Sequence, residues 1–145
     1  MSQQQVRFEQ FFAAPCDKVF AYFADHQKFG RIWGGTFTRI KDGNDPRDPN
    51  GLGSVREIRN KGMAFEETIS KYEPSTLIEY TITKGGPIKN HLGHIEFHSV
   101  EGGTKLIYTI SFEPKIPLTG GLFSGILCGS FHAGIHRAVK DIAAA

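Results

Sequence analysis

Apolar residues recur along this chain with two different periods. Over residues 6–12, Val6, Phe8 and Phe12 fall on one side and mostly polar residues on the other, the alternation of a half-buried strand, with Phe11 as the exception. Ala14 and Pro15 end it. Pro15, Cys16 and Asp17 open a short helix, since proline fits a first turn and a carboxylate suits the positive end of the helix dipole. Val19, Phe20 and Phe23 form its buried face. A second short helix is predicted over residues 26–33, with Phe29 and Trp33 four apart, and Gly34 and Gly35 stop it. The period then returns to two. Strands are predicted at 37–41, 52–59, 63–72, 77–84, 91–100 and 104–113. A loop rich in Gly, Asp, Asn and Pro joins the first two; it lacks the Gly-Lys-Ser/Thr ending and following helix of a phosphate cradle, and reads as a flexible rim.

Residues 119–143 read as one long helix. Leu122, Phe123, Ile126 and Leu127 cover one sector, while Phe131, Ile135, Ala138, Val139 and Ile142 drift to another, which suits a helix lying across a curved sheet. Thr119 is the expected cap, with Leu118 and Phe123 placed as a hydrophobic staple. Gly121, Gly125, Gly129 and Ala133 recur every four residues, and each glycine costs roughly 1 kcal/mol against alanine in a helix. A close approach on that face is therefore expected. Pro117, Thr119, Ser124, Ser130, His132 and the glycines argue against a membrane span despite the scarcity of charge.

The turns set a register for the sheet. A two-residue loop of Gly102 and Gly103 puts Phe97 opposite Tyr108 and Ile95 opposite Ile110. A loop closed by Lys84 and His91 puts Tyr80 opposite Ile95 and Ile78 opposite Phe97. The turn at Pro74 and Ser75 sets Ile69 against Tyr80, and the Lys61, Gly62 turn sets Ile58 against Phe65 and Arg56 against Glu67. One mostly apolar face results, with a polar group of Arg56, Glu67, Lys84 and His91 near one end. Glu66, Glu79, His94, Glu96 and His98 fall on the solvated reverse.

With 145 residues the chain is read as one domain, 1–145, able to bury a core. Lys plus Arg is 17 against 15 Asp plus Glu, with no run of like charge, which argues against a nucleic-acid partner. Residues 1–5 are polar and uncharged, unlike a secretion signal, so a cytoplasmic location is expected. Cys16 and Cys128 have no metal or redox spacing and read as free thiols.

Several stretches resemble the START-related, or SRPBCC, superfamily with its helix-grip fold. They are Ala14-Pro15-Cys16-Asp17-Lys18-Val19-Phe20, Trp33, Gly51-Leu52-Gly53-Ser54-Val55-Arg56, Glu67-Thr68-Ile69 before Tyr72-Glu73-Pro74, and Gly102-Gly103-Thr104. The resemblance covers nearly the whole chain and rests on turns and core positions, so it speaks for fold more than activity. It implies an α+β domain, β-α-α-β6-α, with a curved antiparallel seven-stranded sheet wrapped round the last helix and an apolar cavity between them. That superfamily includes pollen-allergen-like carriers, lipid-transfer domains, polyketide cyclases and aromatases.

Within such a cavity the candidate ligand-binding residues are Trp33, Arg56, Phe65, Glu67, Ile69, Tyr80, Ile82, Ile95, Phe97, Tyr108, Ile110, Phe123, Leu127 and Phe131. Arg56 and Glu67 face each other, either as a pair shielded from water or, if a strand is bulged, as two solvent groups. The Tyr80 and Tyr108 hydroxyls would bond a ligand or a backbone carbonyl. Trp33 with Phe29 either gates the mouth or closes the core. If the protein is an enzyme, Glu67 and His91 are the acid-base candidates, although His91 beside an Asn and Gly loop is expected to be exposed. His94, Glu96 and His98 on one strand face, and Cys128, His132 and His136 four apart on the helix, have metal-like spacing. The first set points outward and the second has no carboxylate, so no metal and no cofactor is assigned.

The expected function is binding or transport of a small hydrophobic or aromatic molecule, such as a lipid, polyketide or quinone-like compound, by a monomer or homodimer. A polyketide cyclase or dehydratase using the same pocket is the alternative. An interaction or chaperone-accessory domain is the third, which would show an exposed apolar patch and a cavity filled by its own side chains.

Overall fold

The computed structural model describes residues 3–145; the first two residues of the polar opening segment lie outside the described residues. The chain runs β1 (Gln4–Phe12), α1 (Cys16–Ala24), α2 (His26–Trp33), β2 (Thr36–Lys41), β3 (Val55–Asn60), β4 (Met63–Glu73), β5 (Leu77–Gly85), β6 (Ile88–Val100), β7 (Gly103–Pro114) and α3 (Gly120–Ala144). All seven strands pair antiparallel in one open sheet of order β1-β7-β6-β5-β4-β3-β2, and α1, α2 and α3 pack on its apolar face. This is the helix-grip fold.

Local chemistry accounts for the element ends. The Asp25 carboxylate accepts from the Lys28 N–H at 3.0 Å and caps α2, and Gly34, at φ 82°, ends it in the left-handed conformation. Thr119 does not cap α3: its hydroxyl turns back to the Ile116 carbonyl at 2.6 Å. No staple forms either, because Leu118, at φ 70°, points wholly into solvent.

The register follows the turns, with corrections of one kind. Arg56 pairs with Glu67, Ile58 with Phe65 and Ile69 with Tyr80. Between β6 and β7, however, Ile95 faces Tyr108 and Phe97 faces Leu106, two residues from expectation. The tight turn is Glu101 and Gly102, at φ 83° for the latter. Gly103 instead begins β7 directly under the Phe12 carbonyl, where a Cβ would collide. Tyr80 likewise pairs with Gly93 and Ile78 with Ile95. A two-residue slip leaves each side chain on its face, so the inward set survives. Lys84 is the exception. Thr83 bulges, Glu66 pairs with Lys84 and Glu67 with Ile82, and Lys84 turns out to solvent.

The core is aromatic. Phe8 stacks on Phe131 with ring centroids 4.0 Å apart, and Phe29, Trp33 and Tyr108 pack round them edge to face. The two halves of α3 differ sharply. From Phe131 onward it buries Phe131, Gly134, Ile135, Ala138 and Ile142 and is clamped to α2, with Arg31 forking onto Asp141 at 2.6 and 3.1 Å and Arg137 donating to the Arg31 carbonyl. Gly134 lies against the Ile32 carbonyl, so the close helix approach is there. Gly121, Gly125 and Gly129, expected to mark it, face open space. The loop over residues 42–54 is no loose rim: Gly43 donates to Pro49 and Asn44 to Leu52, each at 2.8 Å, and the Tyr72 hydroxyl donates to Asp48.

Candidate functional site

Because the Phe8, Tyr108 and Phe131 rings form an aromatic plug beneath the middle of α3, the space left over lies beneath its first turns. A cavity of about 190 Å³ remains there. Its sheet wall is Phe65, Glu67, Tyr80, Ile82, His91 and Ile110; Phe29, Trp33, Phe37 and Ile58 close one side; Phe123, Ile126, Leu127 and Ser130 form the roof. Asn60, Met63, Pro87 and Ile88 stand at the end where the β3–β4 and β5–β6 hairpins turn. The exposed lining residues Met63 and Ile126 mark the mouth.

Of the candidates from sequence, Trp33, Phe65, Glu67, Tyr80, Ile82, His91, Ile110, Phe123 and Leu127 are brought to the cavity wall. Ile69, Ile95, Phe97, Tyr108 and Phe131 are buried in the core and do not line the cavity; Tyr108 packs on Phe131, and Phe97 on Phe20 and Phe23. Arg56 sits behind the wall. Ile58, Phe37, Met63, Pro87 and Ile88 line the cavity without having been singled out; only the inward position of Ile58 was visible in the strand pattern.

Arg56 and Glu67 are adjacent because β3 and β4 pair across the Lys61, Gly62 turn. Arg56 Nε donates to Glu67 Oε1 at 2.8 Å, and both side chains are almost wholly buried. Nη2 is 2.7 Å from the same oxygen but is misaligned for a hydrogen bond and has no other partner. The guanidinium lies over the Phe29 and Tyr80 rings, 4.5 and 4.6 Å from their centroids, which shields its charge. Nη1 approaches His26 Nδ1 at 3.4 Å, and His26 Nε2 meets the Ser54 hydroxyl at 3.2 Å. An arginine only donates, so Nδ1 accepts and His26 is neutral with its proton on Nε2. Burial, then the Arg56 charge, push its pKa down to about 3. This histidine escaped the sequence reading, since position 26 shows only as a helix start. With Oε1 held by Arg56, Glu67 Oε2 accepts no hydrogen bond among the described residues and belongs to the cavity wall.

His91 is buried, against the expected exposure. Pairing of β5 with β6 stops at Tyr80 and Gly93, and the next inward amide, that of Ile82, donates to His91 Nδ1 at 3.1 Å. The imidazole thus replaces a strand carbonyl and is drawn inside, against the Tyr80 ring. Burial pushes its pKa below the usual histidine value. At neutral pH it is uncharged, with Nδ1 occupied and its N–H on Nε2. The wall therefore pairs a carboxylate acceptor with an imidazole donor in an otherwise apolar space. The Tyr80 and Tyr108 hydroxyls bond each other, and burial raises both pKa values, so both stay protonated.

On the reverse face, His94 bonds Glu79 at 2.5 Å and Glu96 at 2.7 Å, and His98 bonds Glu96 at 2.7 Å. Along α3, His132 and His136 are exposed beside a half-buried Cys128. Among the described residues no group of three or more His, Cys, Asp or Glu is disposed to hold a metal ion. Cys16 and Cys128 are free, and no described helix is long and apolar enough to cross a membrane.

Solved structures with the same architecture include the crystal structure of Ara h 8.0201, at 16% identity and TM-score 0.68, covering 97% of this chain and 99% of that one. The Zhui aromatase/cyclase from Streptomyces sp. R1128 matches at 15% identity and TM-score 0.71, over 97% of this chain and 92% of that one. Norcoclaurine synthase from Thalictrum flavum, in complex with dopamine and hydroxybenzaldehyde, matches at 11% identity and TM-score 0.71, over 98% and 87%. At these identities the likeness speaks for the fold alone. No curated protein matches the chain. A family model does match, over residues 3–145, and by it the chain belongs to the polyketide cyclase / dehydrase and lipid transport family.

Proposed function

We propose that this protein binds and carries a small apolar molecule of one or two rings, held in the cavity under the first half of α3 and oriented by a hydroxyl. The observation that carries the reading is the polar pair on an apolar wall: Glu67 Oε2 is free to accept, and neutral His91 has Nε2–H free to donate. A hydroxyl can donate to the one and accept from the other. A charged amine gains less, because Arg56 already neutralises the carboxylate. Cavities of about 150 Å³ admit benzene, so about 190 Å³ suits a ligand only slightly larger. Burial of its rings contributes about 25 cal/mol per Å² of apolar surface.

Calorimetric titration with 2-naphthol and with 2-methoxynaphthalene tests this on the unaltered protein. The naphthol, which alone can donate, is expected to bind about tenfold tighter or more, as a hydrogen bond to a charged acceptor commands. Leu127→Trp, which fills the cavity from the roof, should abolish binding of both. Equal affinities, or indifference to Leu127→Trp, would contradict the proposal.

A second reading has support from the same pair: a carboxylate and a neutral imidazole on one wall could move a proton during cyclisation of a poly-β-ketone. It predicts turnover of a linear poly-β-ketone thioester that falls roughly a hundredfold in Glu67→Gln, with 2-naphthol binding only weakened. The interaction-domain reading calls for an exposed apolar patch together with a cavity filled by its own side chains; apolar side chains are exposed at the mouth, but the cavity is open.

A further inference from the structure

We infer that the end of the molecule carrying the cavity mouth docks on an anionic lipid bilayer surface. The topology gathers three connections there: the β3–β4 hairpin, the β5–β6 hairpin, and the segment from β7 into α3, joined to the second by Lys115 N–H donating to the Pro87 carbonyl at 3.0 Å. Five large apolar side chains stand in solvent at this end. Leu118 is fully exposed, Ile116, Leu122 and Ile126 more than half, and Met63 nearly half. Leu122 and Ile126, four apart, share one outward face of the first turns of α3, and Leu118 stands exposed just before the helix begins. Large apolar side chains exposed together at one end of a folded domain call for a partner.

Charge says which partner. Lys61 at the first hairpin tip, Lys89 after the second and Lys115 before α3 are all exposed, and none makes an ion pair among the described residues. Lys84 is also exposed, with Glu66 no nearer than 3.9 Å. Four lysines at the apolar end, against Glu113 opposite Lys89 and Glu66 near Lys84, match an anionic headgroup layer with acyl chains beneath it. They disfavour a second copy of this chain, since a two-fold contact would bring the lysines together. The association is peripheral, because no described helix can span the bilayer. Met63 and Ile126 belong to both the patch and the cavity lining, so the docked mouth opens on the lipid. The inference does not depend on what the cavity holds.

Flotation with vesicles of phosphatidylcholine alone, and of phosphatidylcholine mixed with phosphatidylserine, is the test. The protein should float with the mixed vesicles, bind the neutral ones at least about fivefold less, and lose binding as salt rises. Leu118→Asp combined with Leu122→Asp should reduce binding about tenfold or more. Lys115→Glu should reduce it about fivefold or more. These side chains are exposed, so melting temperature and 2-naphthol affinity should not change. Failure to float, equal binding to both vesicles, or variants that float as before would overturn the inference. So would a dimer in light scattering that Leu122→Asp dissociates, with no vesicle binding.

Discussion

Replacing Glu67 with glutamine keeps the shape of the side chain and removes its charge, which isolates what the buried pair contributes. In the native protein Arg56 is almost wholly enclosed, with Glu67 Oε1 as its one carboxylate partner among the described residues, at 2.8 Å from Nε, and His26 at 3.4 Å. In Glu67→Gln the guanidinium stays charged, because arginine does not release its proton, and it stays buried, because Phe29, Phe37 and Tyr80 enclose it. Removing one partner of a buried pair costs about 3–5 kcal/mol. The amide oxygen still accepts from Nε, which places the loss near about 3 kcal/mol. For a domain of this size that lowers the melting temperature by about 6–12 °C. Urea unfolding should show a lower midpoint at unchanged slope. Arg56→Met with Glu67→Leu should recover most of the loss, since apolar replacement of both partners of a buried pair is often neutral. A loss below about 1 kcal/mol for Glu67→Gln would refute the reasoning, for it would mean that water reaches Arg56.

Acid should weaken the fold through His26. Its folded pKa is pushed down to about 3, below an unfolded value near 6.5, so only the unfolded chain takes up a proton between them; stability is complete above about pH 6.5 and declines toward pH 3, by up to about 4–5 kcal/mol. His91, also shifted down by burial, adds to this decline. His94 acts in the opposite sense: burial pulls its pKa down, but hydrogen bonds to Glu79 and Glu96 raise it, and its stabilisation fades as pH rises through the raised value. Urea midpoints across this range should flatten in His26→Asn; an unaltered profile would exclude His26 as the cause. Gly134→Ala, which drives a methyl into the Ile32 carbonyl, should destabilise by about 1–3 kcal/mol. Gly125→Ala, facing open space, should stabilise by about 0.5–1 kcal/mol, and thermal melts of the two should move in opposite directions. Gly93→Ala pushes on the Tyr80 ring, which lines the cavity, and calorimetry should show weakened 2-naphthol binding.

How far these features could be read beforehand depends on how local their causes are. The Arg56 and Glu67 pairing was readable because positive φ at both Lys61 and Gly62 makes a tight two-residue turn that sets the register. The β6–β7 pairing was read two residues out, because Gly102 and Gly103 look alike in sequence while one makes the turn and the other admits the Phe12 carbonyl. Likewise, the spaced glycines of α3 mimic a packing face, yet the contact falls at Gly134, which only the position of α2 decides. His91 was misjudged because its burial depends on strand pairing that stops at Gly93 and leaves the Ile82 amide to be satisfied by a side chain. The cavity was expected between the sheet and the last helix, with no end assigned to it. Its confinement to one end follows from the stacking of Phe8 on Phe131, residues more than a hundred positions apart.

Nuclear Overhauser contacts between 2-naphthol and the methyl groups of the protein test the central claim most directly. The account predicts contacts to Ile82, Ile110 and Leu127 inside the cavity, with the His91 ring nitrogens showing the neutral Nε2–H form before and after binding. Contacts confined to the exposed Leu118 and Leu122, or none at all, would contradict it.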